Sequence, residues 1–402
     1  MTYKKTIDWM FSQLPMYQRQ GKAAFKKDLT NIIDFCNTLE NPQYKFKSIH
    51  VGGTNGKVST SHILSSVLQE AGYTVGLYTS PHLKNFTERI RINGEEVSQP
   101  FVVDFISKHK NFLESKQLSF FEMTVGMAFE YFATQRVDIA IIEVGLGGRL
   151  DSTNIINPEV SVITNIGYDH TQFLGDTLKE IAFEKAGIIK NNTPVVIGED
   201  QDEVMDVFLK KASEMNADIH FSSDKKHEYT TDLLGSYQRK NIKTALQTLE
   251  VLKGFTILKT HIREGLLNVV KNTNFKGRWQ ILKEIPKVIC DTAHNKEGLQ
   301  IVLDQLANQS FKNLHIVLGV VNDKKLEELL PLFPKHANYY FCKPEIPRGL
   351  DRHTLELKAN LFGLLGSTYE SVNEAYLHAV SNADKEDLVF DGGSTFVVAE
   401  VV

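Results

Sequence analysis

The stretch IHVGGTNGKVST (49–60) decides how the rest of the chain is read. A β-branched run enters it and a helical pattern leaves it, so a glycine-rich loop stands at a strand-to-helix junction. Such a junction can hold phosphate. Gly53 and Gly56 let the backbone approach phosphate oxygens, and the loop amides with the helix N-terminus supply positive potential. Lys57 has the reach to meet β- and γ-phosphates. The spacing GxxxxGK[ST] is broken twice, by Val51 at the first glycine position and by Val58 after the lysine. Ser59 or Thr60 offers the hydroxyl one step later. The plainer alternative is a glycine-rich turn whose lysine is simply solvated.

Downstream of the loop, Ile63, Leu64, Val67, Leu68 and Ala71 share one helix face, which Gly72 closes as a C-cap. Strands are expected at Phe46–Val51, Thr74–Thr79, Val137–Val144, Val160–Asn165 and Pro194–Gly198. VDIAIIEV (137–144) is apolar apart from Asp138 and Glu143, as in a strand buried on both faces. A second series follows with VIC (288–290), LHIVLGV (314–320), NYYFC (338–342) and LVF (388–390). Strands alternating with helical stretches make an α/β chain. The reading is a P-loop ATPase-type N-terminal domain with a parallel-rich sheet, 1–274, and a Rossmann-like C-terminal α/β domain, 275–402. The boundary falls in FKGRWQIL (275–282). The segment from Glu199 to Asp232 is polar and carries no legible pattern.

In a parallel sheet, ligands gather at the carboxyl ends of the strands. The first four strands end in the glycine loop, Ser80, Glu143 and, a few residues on, His170. Ser80 alone is a turn residue before Pro81, Glu143 alone an ion-pair partner, His170 alone a loop histidine. Three donors and a phosphate loop on one rim point instead to a magnesium-phosphate site, since Mg²⁺ takes oxygen ligands and keeps waters.

Composition narrows the classes. The 402 residues are too many for one ordinary domain, and 42% hydrophobic with 23% charged is globular. A net charge of −4 argues against a nucleic-acid binder. The 3 cysteines, Cys36, Cys290 and Cys342, are scattered, which suits a reducing compartment and no disulfide framework. No signal peptide or membrane-length apolar run is evident. The expectation is a cytoplasmic monomer without nucleic-acid or membrane partners.

With these pieces in place, the motifs HVGGTNGKVST, TSPHLKNFTERIRING, LSFFEMT, IIEVGLGGRLDSTN and DHTQFLGDTLKEIAFEKAGIIK resemble the ATPase domain of folylpolyglutamate/dihydrofolate synthases. GSYQRKN, FKGRWQIL, CDTAHNKEG, LGVVNDK, PRG and GGSTFVVAEV resemble that family's later motifs, in order, within the wider Mur ligase group. The resemblance implies nucleotide contacts from Asn55, Gly56, Lys57 and Val58, completed by Asn241, Arg278 and Asp291. It implies one Mg²⁺ on Ser80 and Glu143, a second on His170, and a carbamylated lysine at Lys185. It places Ser119, Leu150, Asp151 and Ser152 at a pterin pocket, with Gln18–Gly21 as a further part, and His294 and Ser394 near the incoming L-glutamate. Phe86 is a ring on which a second pterin position can stack. The partners implied are ATP, L-glutamate, dihydropteroate and reduced folates.

The chain departs from that family where Val58 replaces a glycine and where DTAHNK stands for DGAHNP. The Val58 amide remains usable if its φ is negative. The implied chemistry makes a carboxylate reactive by converting it to an acyl phosphate, which the glutamate amine attacks. No protein nucleophile is required. Two domains closing over the substrates would hold the reactants together and keep water out. A peptidoglycan Mur ligase, the nearest rival, would carry a nucleotide-sugar domain ahead of the loop, and only about fifty residues precede Gly53. A nucleotide switch, the rival of another class, would not need DTAHN on a second domain.

Overall fold

Lys47–Gly52 (β1) is buried at every position but the first. It lies between two parallel neighbours, Ile139–Glu143 (β5) and Val160–Ile163 (β6). A β-branched run with no exposed face has no other stable place. In the computed structural model, which describes residues 1–14 and 28–402, β1 is central to the sheet of the first of two units. That unit comprises Met1–Asp232 and Gln238–Phe275. The second comprises Leu233–Tyr237 and Lys276–Val402.

The first unit adds Val75–Tyr78 (β2), Ile90–Ile92 (β3), Glu95–Glu96 (β4), Val195–Ile197 (β7) and Ile219–Phe221 (β8). Its order is β4-β3-β2-β5-β1-β6-β7-β8. All pairings from β2 to β8 are parallel, and only β3 and β4 run antiparallel at one edge. From β1 the chain moves to one side through β2 and β5, then to the other through β6. Strand ends on both sides of β1 therefore face one rim. The phosphate-loop helix, Lys57–Glu70, buries every residue from Ser59 to Leu68. Gly72, just beyond it, takes the left-handed φ of 87° expected of a C-terminal cap.

The second unit has Gln280–Lys283 (β9), Lys287–Asp291 (β10), Leu314–Leu318 (β11), Asn338–Phe341 (β12), Gly366–Thr368 (β13) and Leu388–Gly392 (β14). They are ordered β13-β12-β11-β14-β10-β9, and only the β9–β10 pairing is antiparallel. Ile289, Leu318, Phe341 and Phe390 lie in one core of this unit, and Val288, Val317, Val389 and Val397 in another. The polar stretch after Glu199 forms the helix Asp202–Glu214 and then β8. That helix buries only Val204, Phe208 and Ala212, a stripe too narrow to stand out from its charged surroundings.

Candidate active site

The loop after β1 is shaped by two left-handed glycines. Gly53 has φ 136° and Gly56, the helix N-cap, φ 86°. A side chain at either would also collide: a Cβ on Gly53 would stand 1.9 Å from Thr164 Oγ1, and one on Gly56 2.4 Å from Asn241 Oδ1. Asn241 therefore lies against the loop. The amide of Thr54 donates to the Asn165 carbonyl (2.9 Å) and that of Asn55 to Asn165 Oδ1 (2.8 Å). These bonds tie the loop to the segment after β6. Val58 is the second residue of the helix and is not among the positive-φ residues, so it stands there without strain. Thr292 is likewise not among them. The Ser59 hydroxyl accepts from Gln238 Nε2 (3.2 Å), and Thr60 Oγ1 is buried.

Two lysines converge on one carbonyl. Lys57 Nζ donates to the carbonyls of Gly53 and Thr54, each at 3.1 Å, and Lys185 Nζ to that of Gly53 at 2.7 Å. Lys185 closes the helix Leu178–Ala186 and is only 5% exposed. Burial, then the Lys57 charge, push its pKa down to about 7, against the opposing pull of Asp169 and Asp151. The amine that the family resemblance implies is carbamylated is thus one that can shed its proton at neutral pH.

The strands β2, β5, β1 and β6 are consecutive neighbours, so Ser80, Glu143, the phosphate loop and the segment bearing His170 follow one another along the rim. Ser80 and Glu143 meet: the Ser80 amide donates to Glu143 Oε2 at 3.2 Å, and Glu143 is 1% exposed. His170 is half-buried beside Asp169 (3.9 Å) and holds a left-handed φ of 51° at the start of a short helical turn.

Asp151 is buried within its own loop. Its Oδ2 accepts from the Leu146 amide (2.8 Å) and its Oδ1 from the amide and hydroxyl of Thr153. Burial raises its pKa, and these bonds oppose the rise. Leu150 and Ser152 stand half-buried on either side. Ser119 spends its hydroxyl on a capping box with Glu122 at the head of the helix Phe120–Thr134. Gln18–Gly21 lies outside the described residues.

Phe86 departs from expectation. It is 3% exposed and meets Phe120 (5.9 Å, 79°) and His82 (6.4 Å, 71°) edge to face. Glu88 is the reason, since its carboxylate gathers the amides of Leu83, Lys84 and Asn85 and forms the turn Phe86–Arg89. That turn sends the ring inward, so Phe86 supports the loop rather than offering a stacking face. Sequence reading also passed over Arg89, which is 2% exposed, donates to His82 Nδ1 at 2.7 Å and lies 5.2 Å over the Phe120 ring. Nothing in FTERIRING distinguishes it from a surface arginine.

In the second unit, Asp291 ends β10 and organises the turn that follows. It accepts from the Tyr237 hydroxyl (2.5 Å), the Trp279 amide (2.8 Å) and the Ala293 amide (2.8 Å), with Arg278 Nη1 at 3.9 Å. Burial and the Asp291 charge hold the Tyr237 hydroxyl well above the usual tyrosine range. His294 Nδ1 lies 3.0 Å from the Thr292 carbonyl; a carbonyl only accepts, so Nδ1 carries the proton. Ser394, 3% exposed, caps Thr395–Val401 by accepting from the Phe396 amide.

This arrangement can be set beside known proteins. Residues 51–263 match the Mur ligase middle domain, and residues 277–395 the Mur ligase glutamate ligase domain. A dihydrofolate synthase/folylpolyglutamate synthase of Bacillus subtilis is 33% identical, with 86% of each chain covered. The chain belongs to this family of Mur ligases. A probable bifunctional folylpolyglutamate synthase/dihydropteroate synthase of Haloferax volcanii is 30% identical across 100% of the chain, which spans 50% of that protein's length. Among solved structures, E. coli FolC in complex with DHPP and ADP superposes with TM-score 0.87 at 28% identity, covering 100% of this chain and 97% of that one. A bifunctional folylpolyglutamate synthase/dihydrofolate synthase with Mn, AMPPNP and L-glutamate bound gives TM-score 0.84 at 27% identity, covering 100% and 97%. The α/β architecture expected from sequence is the one these enzymes share. No helix among the described residues is long and apolar enough to cross a membrane.

Proposed function

We propose that this chain joins L-glutamate to the carboxylate of dihydropteroate and of reduced folates, driven by ATP through an acyl phosphate. The carrying observation is the rim itself. A phosphate loop and a buried carboxylate occupy neighbouring strand ends, and a lysine that can be neutral at pH 7 reaches the loop from the helix Leu178–Ala186, in a chain of this ligase family. The first unit is assigned to the pterin and to most of the ATP contacts, the second to the remaining nucleotide contacts and the incoming amino acid.

Asn55, Gly56, Lys57, Val58 and Asn241 are assigned to the nucleotide, together with Arg278 and Asp291. Lys57 now rests on the loop carbonyls, and turning onto phosphate replaces two neutral acceptors with a charged one. Its charge then opposes the negative charge spreading over the transferring phosphoryl group. Phosphoryl transfer replaces oxide, which cannot leave, with phosphate, which can. The glutamate amine attacks the acyl carbon, phosphate departs and an amide remains. His294 and Ser394 are assigned to orienting the amino acid.

For the metal, Ser80, Glu143 and His170 fit magnesium held by few protein donors. Among the described residues no three His, Cys, Asp or Glu side chains cluster into an ion cage, so phosphate oxygens and waters would supply the rest of its shell. Bound there, Mg²⁺ would draw charge from the transferring phosphoryl group. Two such ions and a carbamate on Lys185 complete the proposal. A carbamate needs a neutral amine, which the burial of Lys185 supplies, and its negative charge offsets added metal. The protein is placed in the cytoplasm as a monomer, without nucleic-acid partners.

ADP release measured with ATP, L-glutamate and each acceptor tests the reading. Turnover requiring both acceptor and glutamate supports it. Slow hydrolysis indifferent to both would reveal a nucleotide switch instead.

A further inference from the structure

His50 lies three residues before Gly53 on β1, fully buried and opposite Ile142 of β5 and Ser161 of β6. Its Nε2 is 2.9 Å from Thr153 Oγ1. The direction of this bond follows from its neighbours. The Asp151 carboxylate accepts from the Leu146 amide and from both the amide and hydroxyl of Thr153. A carboxylate gathering those donors is an anion, so the Thr153 proton points at Asp151. The lone pair left on Thr153 faces His50, which must carry its proton on Nε2. His50 Nδ1, buried and without a hydrogen-bond partner, stays unprotonated. Burial, then the Lys190 charge, hold the ring pKa at about 3.

The donor chain His50, Thr153, Asp151 thus joins the strand that carries the phosphate loop to the loop 145–153 that follows Glu143. Asp151 closes that loop from inside, and the half-buried Leu150 and Ser152 flank it in the chain. The far end of the loop is pinned separately. Asn154 Nδ2 donates to the carbonyls of Arg149 and Gly187, and Lys190 Nζ donates to the Asn154 carbonyl. His50 links this loop to β1 itself.

We propose that His50 is a positioning residue, fixing the loop that borders the acceptor at a set distance from the phosphate loop through Thr153 and Asp151. The inference rests on the assignment of Leu150–Ser152 to the pterin pocket. The acceptor carboxylate must reach the γ-phosphate, so a slack connection between these loops costs acceptor binding and alignment before it costs nucleotide binding.

The test uses His50→Leu, which keeps the bulk and loses the donor, His50→Gln, whose amide nitrogen reproduces the Nε2 donor, and Thr153→Val. Losing one buried hydrogen bond should raise KM for the pteroate or folate acceptor about tenfold in His50→Leu and Thr153→Val. KM for ATP should stay within about twofold, and the double variant should be little worse than either single. His50→Gln should restore acceptor KM. A purely structural role would lower the melting temperature and the active fraction while leaving acceptor KM alone. Hydrogen exchange at the Leu146 and Thr153 amides gives a readout without substrate, faster in His50→Leu and restored in His50→Gln. Should the wild-type chain use no folate acceptor, that exchange still decides whether the clamp exists. Unchanged acceptor KM in folded His50→Leu, or exchange equally fast in His50→Gln, would overturn the proposal. If His50→Leu does not fold, Thr153→Val and His50→Gln carry the same comparison.

Discussion

With its pKa pushed down to about 7 by burial and by Lys57, the Lys185 amine is half neutral where a free lysine is almost wholly charged. The folded chain binds fewer protons at this site than the unfolded one between that value and the free value of about 10.4. Stability from this group therefore rises with pH across that window, and the cost of the buried cation is greatest below it. Reaction with carbon dioxide should follow the neutral fraction. Labelled ¹³C-bicarbonate should give a carbamate signal that grows from pH 6 to 8 and is missing in Lys185→Ala, whose activity small carboxylates should partly restore. No signal at pH 8 would contradict the assignment. Asp391 has the opposite sign. It is 0% exposed, both its oxygens lack partners, and burial followed by the Glu400 charge holds its carboxyl well above the usual range. The folded state keeps this proton after the unfolded state has lost it, so stability falls as pH rises from about 3.9. Asp391→Val should stabilise the chain by about 1–3 kcal/mol at pH 8 and by less at pH 5 in urea unfolding. Equal stability at both values would show that the carboxyl has a partner.

The element that sequence described best is the phosphate loop, because each of its requirements is local. Gly53 and Gly56 are where the chain needs positive φ, and the strand before and helix after are set by their own periodicities. Gly56→Ala should therefore weaken nucleotide binding by tenfold or more, from about 1–2 kcal/mol of left-handed strain plus the collision with Asn241. Calorimetric titration with an ATP analogue measures this, and wild-type affinity in the variant would contradict the loop's geometry. Ser119 shows a local signal left unread. LSFFE (118–122) has the S-x-x-E spacing of a capping box, and the structure uses it as one. Phe86 shows the opposite limit. Its inward turn depends on Glu88 gathering three amides, and no periodicity in TSPHLKNF reports that. The His50–Thr153 bond is equally silent in sequence, because its partners come together only once β1 and β5 are paired.

At the scale of the whole chain, strand order rather than sequence order makes the site. Ser80, Glu143, Lys57 and His170 are spread over more than a hundred residues, yet β2, β5, β1 and β6 set their loops side by side. In the proposed function one rim with one phosphate loop serves both acceptors, since dihydropteroate and reduced folates each present a carboxylate to the same amine. Lys57→Ala should then abolish both additions together while the chain stays folded. The most direct test is the mass of the products formed from dihydropteroate and from tetrahydrofolate with ATP and L-glutamate, each alone and then in competition. The account predicts that each acceptor gains a glutamyl unit, that each suppresses use of the other, and that Lys57→Ala yields neither product. Extension of tetrahydrofolate with dihydropteroate left unchanged would contradict it.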